Sequence, residues 1–585
     1  NQLRVVTLVL ALFVCCVTLS AQKFAIFSDI HVTPGNANEA KLKAAVEEVN
    51  KSDVDYVLVS GDLTNEGSDE QLRNVKSIFD AFTKPYYIIP GNHENTWSQS
   101  ACKTFNDLWG TDRFVFTVED LIWLDKILSE KVKPGMKVLS VNHYPILDDL
   151  DNYRDYVAIL KKYPVITHQC GHYHRWRLYE TDGINGLIVR ALDMGNGDYG
   201  YTLMNVDLKS NWIHVYNKIL DQTPIPMYAY KMSTEYYDSP APASLQTKED
   251  ARFAVEKVFA DNATIFTRLG LDEKNIYFGN SLGICKALDK QTHKVKWEYK
   301  TAAMLYARPA VDRKYVVLPT ADRRLVWLDK KSGKETYAFN ADGPYVADGV
   351  IEKGILYQGG YKTFQAWDIA KHKLVWRFDD IDNYCQAAPV IDGGDVIFGA
   401  WDTYLRSINK KSGKLQWKWN NGKTVNLFSP GNVVPVVTAD KVVVVAPDRV
   451  ATAVDRKSGK QIWREKNENK VRESLGRSED GKVAYAKTMD GELVAMSTEG
   501  NSYKLLWKTD LGIGYEHAPC IVIEHDGFVY AGSRHGQLSI VDAATHQLVV
   551  SYPMGTSEVN GFEVDANGDV YCSLIEGTIF KITRK

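Results

Sequence analysis

The sequence contains few cysteines, and they are not arranged as metal or disulfide frameworks require. It has eight among 585 residues, and two of these are adjacent near the N-terminus. The other six are far apart and form no Cys-x-x-Cys pair: Cys102, Cys170, Cys285, Cys385, Cys520 and Cys572. This excludes a zinc finger, which needs clustered thiolates, and disfavours a disulfide framework in so long a chain. We expect most of these cysteines to be small buried side chains.

Neither sign of charge is in excess. The 70 Lys and Arg oppose 73 Asp and Glu, and the formal net charge is −3. Without a polybasic signal, nucleic acid is not an expected partner. The 45% apolar content instead predicts a folded chain, and the length predicts at least two domains.

The N-terminal apolar run is too short for a typical transmembrane helix. It extends from Val5 to Ala21, whereas a spanning helix needs ~20 residues. It follows Arg4 and ends in the small residues Ser20 and Ala21, which is typical of a cleavable secretory signal. We predict a signal peptide at 1–21, a mature chain without a transmembrane helix, and a secreted, periplasmic or cell-surface location in a bacterium. A membrane anchor is the alternative.

Residues 22–220 alternate between strand and helix patterns. Phe24 to Phe27, Tyr56 to Val59 and Tyr86 to Ile89 are apolar runs typical of strands buried on both faces. Between them, apolar residues such as Leu42 and Val46 recur at helical spacing. The alternation predicts a layered α/β domain.

Proline sets the next segment apart, and a repeat follows it. Residues 221–262 contain Pro224, Pro226, Pro240 and Pro242, which favour a linker. From residue 263 to 585, a unit of short strands, a Lys-Ser-Gly-Lys turn and an aromatic residue repeats, as in Leu325 to Lys334. The aromatic residues lie at positions 297, 337, 376, 417, 463 and 507. A period of about 40 residues with four short strands predicts β-propeller blades, in which the aromatics pack blade against blade.

The number of repeats indicates the number of blades. The inner strand pair begins near residues 275, 315, 355, 395, 441, 482, 528 and 569. We therefore predict an all-β propeller of eight blades, with seven as the alternative. The last copy stops at Lys585 without an outer strand. A strand around Ala263 to Phe266 would complete that blade and leave no open edge.

Potential metal ligands follow the predicted strands of the first domain. They are Asp29, His31, Asp62, Asn92, His93, His143, His172 and His174. Ligands collect at the carboxyl ends of strands in open α/β sheets, so we expect these side chains to converge at one sheet edge. Two carboxylates, one amide and five imidazoles favour zinc, iron or manganese over calcium or magnesium alone.

In order and spacing, these residues resemble the calcineurin-like metallophosphoesterases. The matching motifs are Asp29-Ile30-His31, Gly61-Asp62, Gly91-Asn92-His93-Glu94, Asn142-His143 and Gly171-His172-Tyr173-His174. The resemblance implies a layered β-sandwich flanked by helices, and two divalent or trivalent ions of Mn, Fe or Zn. The sequence departs from the family at Phe116 and Thr117, where another strand pair is usual; this is either a shortened second sheet or an omitted segment.

The resemblance also assigns a role to each residue. It implies two sets of metal ligands: Asp29, His31 and His174, and Asn92, His143 and His172. Asp62 would bridge both metals. His93 would be catalytic, because it would lie near the leaving group and donate a proton or stabilise charge. Two metals would activate a hydroxide that attacks phosphorus.

The repeat of residues 263–585 resembles the propeller repeat named after pyrroloquinoline quinone. That repeat is found in quinoprotein dehydrogenases and in non-enzymatic scaffold propellers, so it indicates a fold better than a cofactor. The adjacent cysteine pair that such quinone enzymes often carry is missing from these residues. We therefore expect no quinone.

Together, the two resemblances predict an exported enzyme that hydrolyses phosphomonoesters or phosphodiesters. Its propeller rim would bind a protein or glycan partner. The alternative is a propeller-based binding or scaffold protein with an inactive phosphatase-like domain, although the complete ligand set argues against it. Quinone-dependent oxidation is a third hypothesis and rests only on the name of the repeat.

Overall fold

The structure is a computed structural model. It describes residues 13–14, 21–95, 98, 100, 102–110, 118–147, 150, 153–195, 197–239, 247–424, 426–466, 470–516 and 519–585. Most of the predicted signal peptide and the stretch around Phe116 and Thr117 lie outside these residues. The chain divides into two compact units, Asn1–Ala241 and Pro242–Lys585. Within the ranges described, each helix is too short or too polar to span a lipid bilayer.

Eleven strands and six helices are described in the N-terminal unit. The strands are β1 (Phe13–Val14), β2 (Gln22–Phe27), β3 (Tyr56–Ser60), β4 (Tyr86–Ile89), β5 (Val138–Val141), β6 (Val165–Cys170), β7 (Arg177–Thr181), β8 (Ile184–Ile188), β9 (Gly200–Asp207), β10 (Trp212–Ile219) and β11 (Ile225–Lys231). The helices are α1 (Ala37–Lys51), α2 (Asp69–Phe79), α3 (Asn92–Asn95), α4 (Lys103–Trp109), α5 (Val118–Lys131) and α6 (Tyr153–Leu160).

These strands form two sheets. A six-stranded sheet has the order β11-β10-β9-β2-β3-β4, and a five-stranded sheet has the order β1-β5-β6-β8-β7. Strands β2, β3 and β4 are parallel to one another, as are β5, β6 and β8. Parallel neighbours end at the same edge of their sheet, so the segments that follow them lie close together.

Three apolar cores hold the layers together and confirm the predicted fold class. Phe24 and Ile26 of one sheet pack with Ile166 and Leu187 of the other. A second core joins the six-stranded sheet to α1 and α2, and a third joins the five-stranded sheet to α5 and α6. The unit is therefore a β-sandwich with helices on its outer faces.

The range predicted to be a linker, 221–262, contains two strands. Residues Ile225–Lys231 extend the six-stranded sheet as β11, although Pro226 lies within it. Proline is tolerated there because β11 is an edge strand, and the register shifts between Val215 and Tyr216, opposite Pro226. The other strand, β12 (Phe253–Ala260), belongs to the propeller.

The C-terminal unit contains eight four-stranded sheets, which confirms eight blades and excludes seven. The first four blades are β13–β16 (Gly270–Leu271, Asn275–Gly279, Ile284–Asp289, Val295–Lys300), β17–β20 (Ala310–Val311, Tyr315–Pro319, Arg324–Asp329, Glu335–Asn340), β21–β24 (Val350–Glu352, Ile355–Gly359, Phe364–Asp368, Lys373–Phe378) and β25–β28 (Val390–Asp392, Asp395–Gly399, Tyr404–Asn409, Leu415–Asn420). A short 3-10 helix, Asn426–Phe428, follows.

The next three blades and the strands of the last complete the ring. They are β29–β32 (Val436–Val437, Lys441–Val445, Ala451–Asp455, Gln461–Glu465), β33–β36 (Val471–Arg477, Val483–Thr488, Glu492–Ser497, Leu505–Asp510), β37–β40 (Ile523–His525, Phe528–Gly532, Gln537–Asp542, Leu548–Pro553) and β41–β43 (Val559–Val564, Val570–Leu574, Thr578–Arg584). The outer strand of the eighth blade is β12, which pairs antiparallel with β43. The closing strand is thus Phe253–Ala260, and the prediction of Ala263 to Phe266 was wrong.

The tryptophans of the fourth strands join neighbouring blades, as predicted. The Nε1–H of Trp376 donates to the Lys410 carbonyl oxygen of the next blade at 2.9 Å. Its ring also lies against Gly413, where a Cβ would be 2.7 Å from the indole. Trp297 and Trp417 make the same kind of hydrogen bond with the turns that follow them.

Candidate metal centre

The eight polar side chains predicted to form a site lie at strand ends and are brought together. Asp29 and His31 follow β2, Asp62 follows β3, and His143 follows β5. The remaining four lie in α3, directly after β4, or in the turn after β6: Asn92, His93, His172 and His174. The parallel strand order therefore explains why residues so far apart in sequence meet.

Four of these residues form a first donor set. Single donor atoms of Asp29, His31, Asp62 and His174 all lie within 4.8 Å of one another. The Nε2 atoms of His31 and His174 are 3.1 Å apart, and His174 Nε2 lies 3.3 Å from Asp29 Oδ1. Two imidazole nitrogens and two carboxylates thus surround one point.

A second donor set shares Asp62 with the first. Donor atoms of Asp62, His143 and His172 also lie within 4.8 Å of one another. Asn92 joins them, because its Oδ1 lies 3.0 Å from both His143 Nε2 and His172 Nδ1. The two sets contain the seven residues predicted as metal ligands, with Asp62 common to both.

The orientation of His143 shows that a cation fits this arrangement. Its Nδ1 lies 2.7 Å from the Ser60 carbonyl oxygen, which can only accept, so Nδ1 carries the proton and donates it. Once Nε2 loses its proton, its lone pair would face Asn92 Oδ1 at 3.0 Å and Asp62 Oδ2 at 3.3 Å. Such a convergence of nitrogen and oxygen lone pairs suits a transition metal ion.

The charge states of the site also suit metal binding. Burial, followed by the charge of His93, lowers the pKa of His31 to about 4, and burial likewise lowers the pKa of His172 to about 4. Burial opposes protonation of His143 too, but the charge of Asp62 and a hydrogen bond to it outweigh burial and raise its pKa to about 9. Burial alone would raise the pKa of Asp62. The charge of His143 and a hydrogen bond to it outweigh burial and hold the pKa of Asp62 below its usual range. At neutral pH, His31 and His172 are unprotonated and Asp62 is ionised, as metal ligands must be, whereas His143 keeps a proton that an incoming metal ion would displace.

Unusual backbone conformations aim these side chains. Five site residues have a left-handed φ, between 48° and 72°: Asp29, His31, Asp62, His172 and His174. Such φ values are costly outside glycine and concentrate at functional sites. Neighbouring glycines allow the chain segments to approach closely, since a Cβ at Gly91 would clash with Asp62 Oδ1 and one at Gly171 with Ser28 Oγ.

His93 lies beside both donor sets without belonging to either. Its Nδ1 is 2.7 Å from the Asn65 carbonyl oxygen, which can only accept, so Nδ1–H donates. Its Nε2 is directed toward the site and lies 3.7 Å from Asp62 Oδ2. Sequence reasoning missed Asn65, and no side-chain pattern could have identified it because the main chain makes the contact.

Glu94 connects two of the loops that follow the strands. Its buried carboxylate accepts hydrogen bonds from the amides of Leu63, Thr64 and Gly91, at 3.0 to 3.1 Å, and from Thr64 Oγ1 at 2.8 Å. Burial, together with the charge of Asp62, raises the pKa of Glu94. Glu94 therefore connects the loop that carries Asp62 to the loop that carries the motif after β4.

Family comparisons match both units. The profile of the family described as Calcineurin-like phosphoesterase matches residues 22–180. The profile described as Outer membrane protein assembly factor BamB matches residues 261–350, 341–445 and 418–585.

Two curated relatives match parts of the chain. A probable glycerophosphodiester phosphodiesterase GpdQ from Arcobacter nitrofigilis is 28% identical over 159 residues, covering 21% of this chain and 57% of that protein. Outer membrane protein assembly factor BamB from Alteromonas naphthalenivorans is 24% identical over 190 residues, covering 28% of this chain and 44% of that protein. The chain thus spans about half the length of the curated relatives it matches.

Solved propellers are also similar. BamB from Moraxella catarrhalis aligns with a TM-score of 0.47 at 15% identity, over 57% of this chain and 98% of that chain. Quinohemoprotein alcohol dehydrogenase from Comamonas testosteroni aligns with a TM-score of 0.46 at 12% identity, over 57% of this chain and 76% of that chain.

Proposed function

Because the chain belongs, through residues 261–585, to the BamB family of repeat propellers and carries a calcineurin-like phosphoesterase domain at 22–180, we propose that it is an exported, metal-dependent phosphoesterase. Its reaction is the hydrolysis of a phosphomonoester or phosphodiester. The observation that carries this proposal is the pair of overlapping donor sets that share Asp62.

In this proposal, each donor set holds one transition metal ion of Mn, Fe or Zn. Asp29, His31 and His174 would hold one ion, Asn92, His143 and His172 would hold the other, and Asp62 would be available to both. When bound, two such ions supply Lewis-acid stabilisation of phosphate oxygens and lower the pKa of water. The Ser60 carbonyl fixes the tautomer of His143, so that Nε2 is presented to the ion.

We assign His93 the role of proton donor to the leaving oxygen. The Asn65 carbonyl holds the Nδ1–H of His93 and so directs Nε2 toward the substrate side. A proton on Nε2 neutralises the charge that develops as the phosphorus–oxygen bond breaks. His93 lies outside both donor sets, so its removal is expected to leave metal binding intact.

An assay of the full chain with metal analysis tests this proposal. The purified protein, loaded with Mn, Zn or Fe, is assayed with p-nitrophenyl phosphate, bis(p-nitrophenyl) phosphate and a glycerophosphodiester, the last because of the name of one relative. Asp62→Asn is expected to lower turnover and metal content by about 100-fold or more. The exposed Asp107 serves as a matched control, since Asp107→Asn removes the same charge from a residue that belongs to neither donor set.

The assay separates the two classes of function. Metal-dependent turnover that Asp62→Asn abolishes supports the enzyme. Full metal loading without turnover of any of the three substrates would favour the binding or scaffold protein with an inactive phosphatase-like domain. Absence of metal uptake under every loading condition would contradict both donor sets.

Export and the propeller's role belong to the same proposal. The apolar run before Gln22 and the propeller's family both support export, and a mature N-terminus at Gln22 in the periplasmic fraction would test it. We propose that the propeller holds a protein or glycan partner and no quinone. A quinone absorption band in the purified protein would overturn the latter point.

A further inference from the structure

Exposed lysines recur in the turn between the third and fourth strands of five successive blades. The second, fourth and fifth blades carry two each: Lys331, Lys334, Lys411, Lys414, Lys457 and Lys460. Lys294 of the first blade and Lys373 of the third occupy the same region. We call these eight residues the lysine arc. Among the described residues, none of them has a carboxylate within 4.0 Å of its ammonium group.

The turns do not need these lysines in order to fold. In the second blade, Asp329 Oδ1 accepts from the amide and the hydroxyl of Ser332 at 2.9 and 2.8 Å, and the lysine side chains take no part. The seventh blade closes the equivalent turn in the same way, since Asp542 Oδ1 accepts from the amides of Ala544 and Thr545 at 3.0 Å. That turn contains no lysine. Repetition of the fold alone therefore does not explain the lysine arc.

The arc lies on one face of the propeller, and basic residues outnumber carboxylates in the turns that carry it. Antiparallel strands place the first-to-second and third-to-fourth turns of every blade on the same face. Two inner carboxylates on this face are already paired with other cations: Asp272 with Lys330 at 3.2 Å and Glu352 with Lys410 at 2.7 Å. The excess positive charge thus spans five of the eight blades.

Exposed aliphatic side chains lie next to the arc. Val295 and Leu415 begin the fourth strands of the first and fourth blades, and Val375 is the third residue of the fourth strand of the third blade. Their side chains are 36%, 38% and 49% exposed, respectively. Aliphatic groups between lysines are typical of surfaces that lie on lipid, where the apolar groups enter the interface and the ammonium groups meet anionic headgroups. Single-stranded nucleic acid would instead require exposed aromatic rings for stacking, and Trp376 and Trp417 in these strands are buried.

We propose that the lysine arc binds the propeller to an anionic lipid surface, with Val295, Val375 and Leu415 in the interface. The lysines recur blade by blade and do not follow one continuous chain segment, which suits an extended partner. This inference does not depend on the phosphoesterase activity, because no arc residue lies in the N-terminal unit.

Vesicle sedimentation with the full chain tests the proposal. Wild-type protein is mixed with phosphatidylcholine vesicles, with or without phosphatidylglycerol, at low and high salt. The test variant carries Lys331→Glu, Lys411→Glu and Lys457→Glu. The control variant carries Lys362→Glu, Lys423→Glu and Arg449→Glu. These substitutions make the same charge change on exposed residues of the opposite face.

The outcomes separate lipid binding from general charge attraction. A lysine near an anionic leaflet strengthens partitioning by about fivefold, so the test variant should lose at least about 100-fold and the control less than about threefold. Equal losses in both variants, or no binding of wild type to phosphatidylglycerol at low salt, would overturn the proposal. So would tighter binding to duplex DNA than to vesicles.

A second variant guards against misfolding of the triple substitution. Val375→Ser with Leu415→Ser leaves the charge unchanged, and it should weaken binding to anionic vesicles by about tenfold because apolar area no longer enters the interface. Its elution from a cation-exchange resin should not change. Unaltered binding of this variant to anionic vesicles would contradict the proposal that the propeller binds a lipid surface.

Discussion

Glu94 offers a quantitative test of how the candidate metal centre is supported. Its carboxylate accepts from four donors: the amides of Leu63, Thr64 and Gly91 and the hydroxyl of Thr64. Glu94→Ala would leave all four without this acceptor in a buried site, at about 1–3 kcal/mol each. We therefore expect the free energy of unfolding of the N-terminal unit to fall by about 4 kcal/mol or more. That is a large part of the ~5–15 kcal/mol that holds a typical domain folded.

Glu94→Gln is the sharper variant because it removes one interaction only. The amide oxygen can replace Oε1, which accepts from Leu63 and Thr64, but the amide nitrogen then faces the Gly91 N–H. We expect a loss of about 1–3 kcal/mol. The loop that carries Asp62 is held less firmly, so metal affinity should fall about 10–100-fold.

Hydrogen exchange followed by mass spectrometry measures both effects locally. Peptides covering 60–67 and 88–95 should lose protection in both Glu94 variants, while peptides of the propeller should not change. Glu66→Gln is the matched control, because Glu66 lies in the same loop and is exposed. If Glu94→Ala keeps wild-type protection and metal affinity, the four hydrogen bonds do not support the site and the reasoning fails.

Three further predictions concern single contacts. His93→Ala should keep both metals by elemental analysis and lose about 10²–10⁴-fold in turnover; metal loss would refute its assignment as proton donor. Gly413→Ala should lower the unfolding temperature of the propeller more than Gly422→Ala. Both glycines have a positive φ, but only Gly413 lies against an indole ring, where overpacking costs about 1–3 kcal/mol. Equal shifts of the unfolding temperature would contradict this. Asp402→Ala should destabilise the propeller by about 3–5 kcal/mol in denaturant unfolding, because it leaves the buried Arg406 without its ion-pair partner. A loss of unfolding free energy below about 1 kcal/mol would refute this prediction.

The parts of the molecule that side-chain chemistry dictates could be predicted from the sequence. Metal binding restricts which residue types can follow a strand, so Asp62 and His143 stand out before any fold is known. The blade count was predictable because the inner strand pair of each blade is a short apolar pattern that recurs eight times along the repeat.

The parts that depend on the main chain could not be predicted in the same way. The Asn65 carbonyl holds His93 through an atom that every residue has. Proline suggested a linker, yet Pro226 is accommodated in an edge strand whose register shifts opposite it. The closing strand was misplaced because Glu256 and Lys257 interrupt the apolar pattern of Phe253–Ala260.

The closure of the propeller by β12 and β43 has a consequence for biosynthesis. The chain is made from its N-terminus, so Phe253–Ala260 leaves the ribosome before any other strand of the ring and Thr578–Arg584 leaves last. Until Thr578–Arg584 has been made, the first-made strand lacks this partner and must avoid pairing with neighbouring polypeptides. A nascent chain stalled before residue 578 would therefore remain an open and protease-sensitive ring.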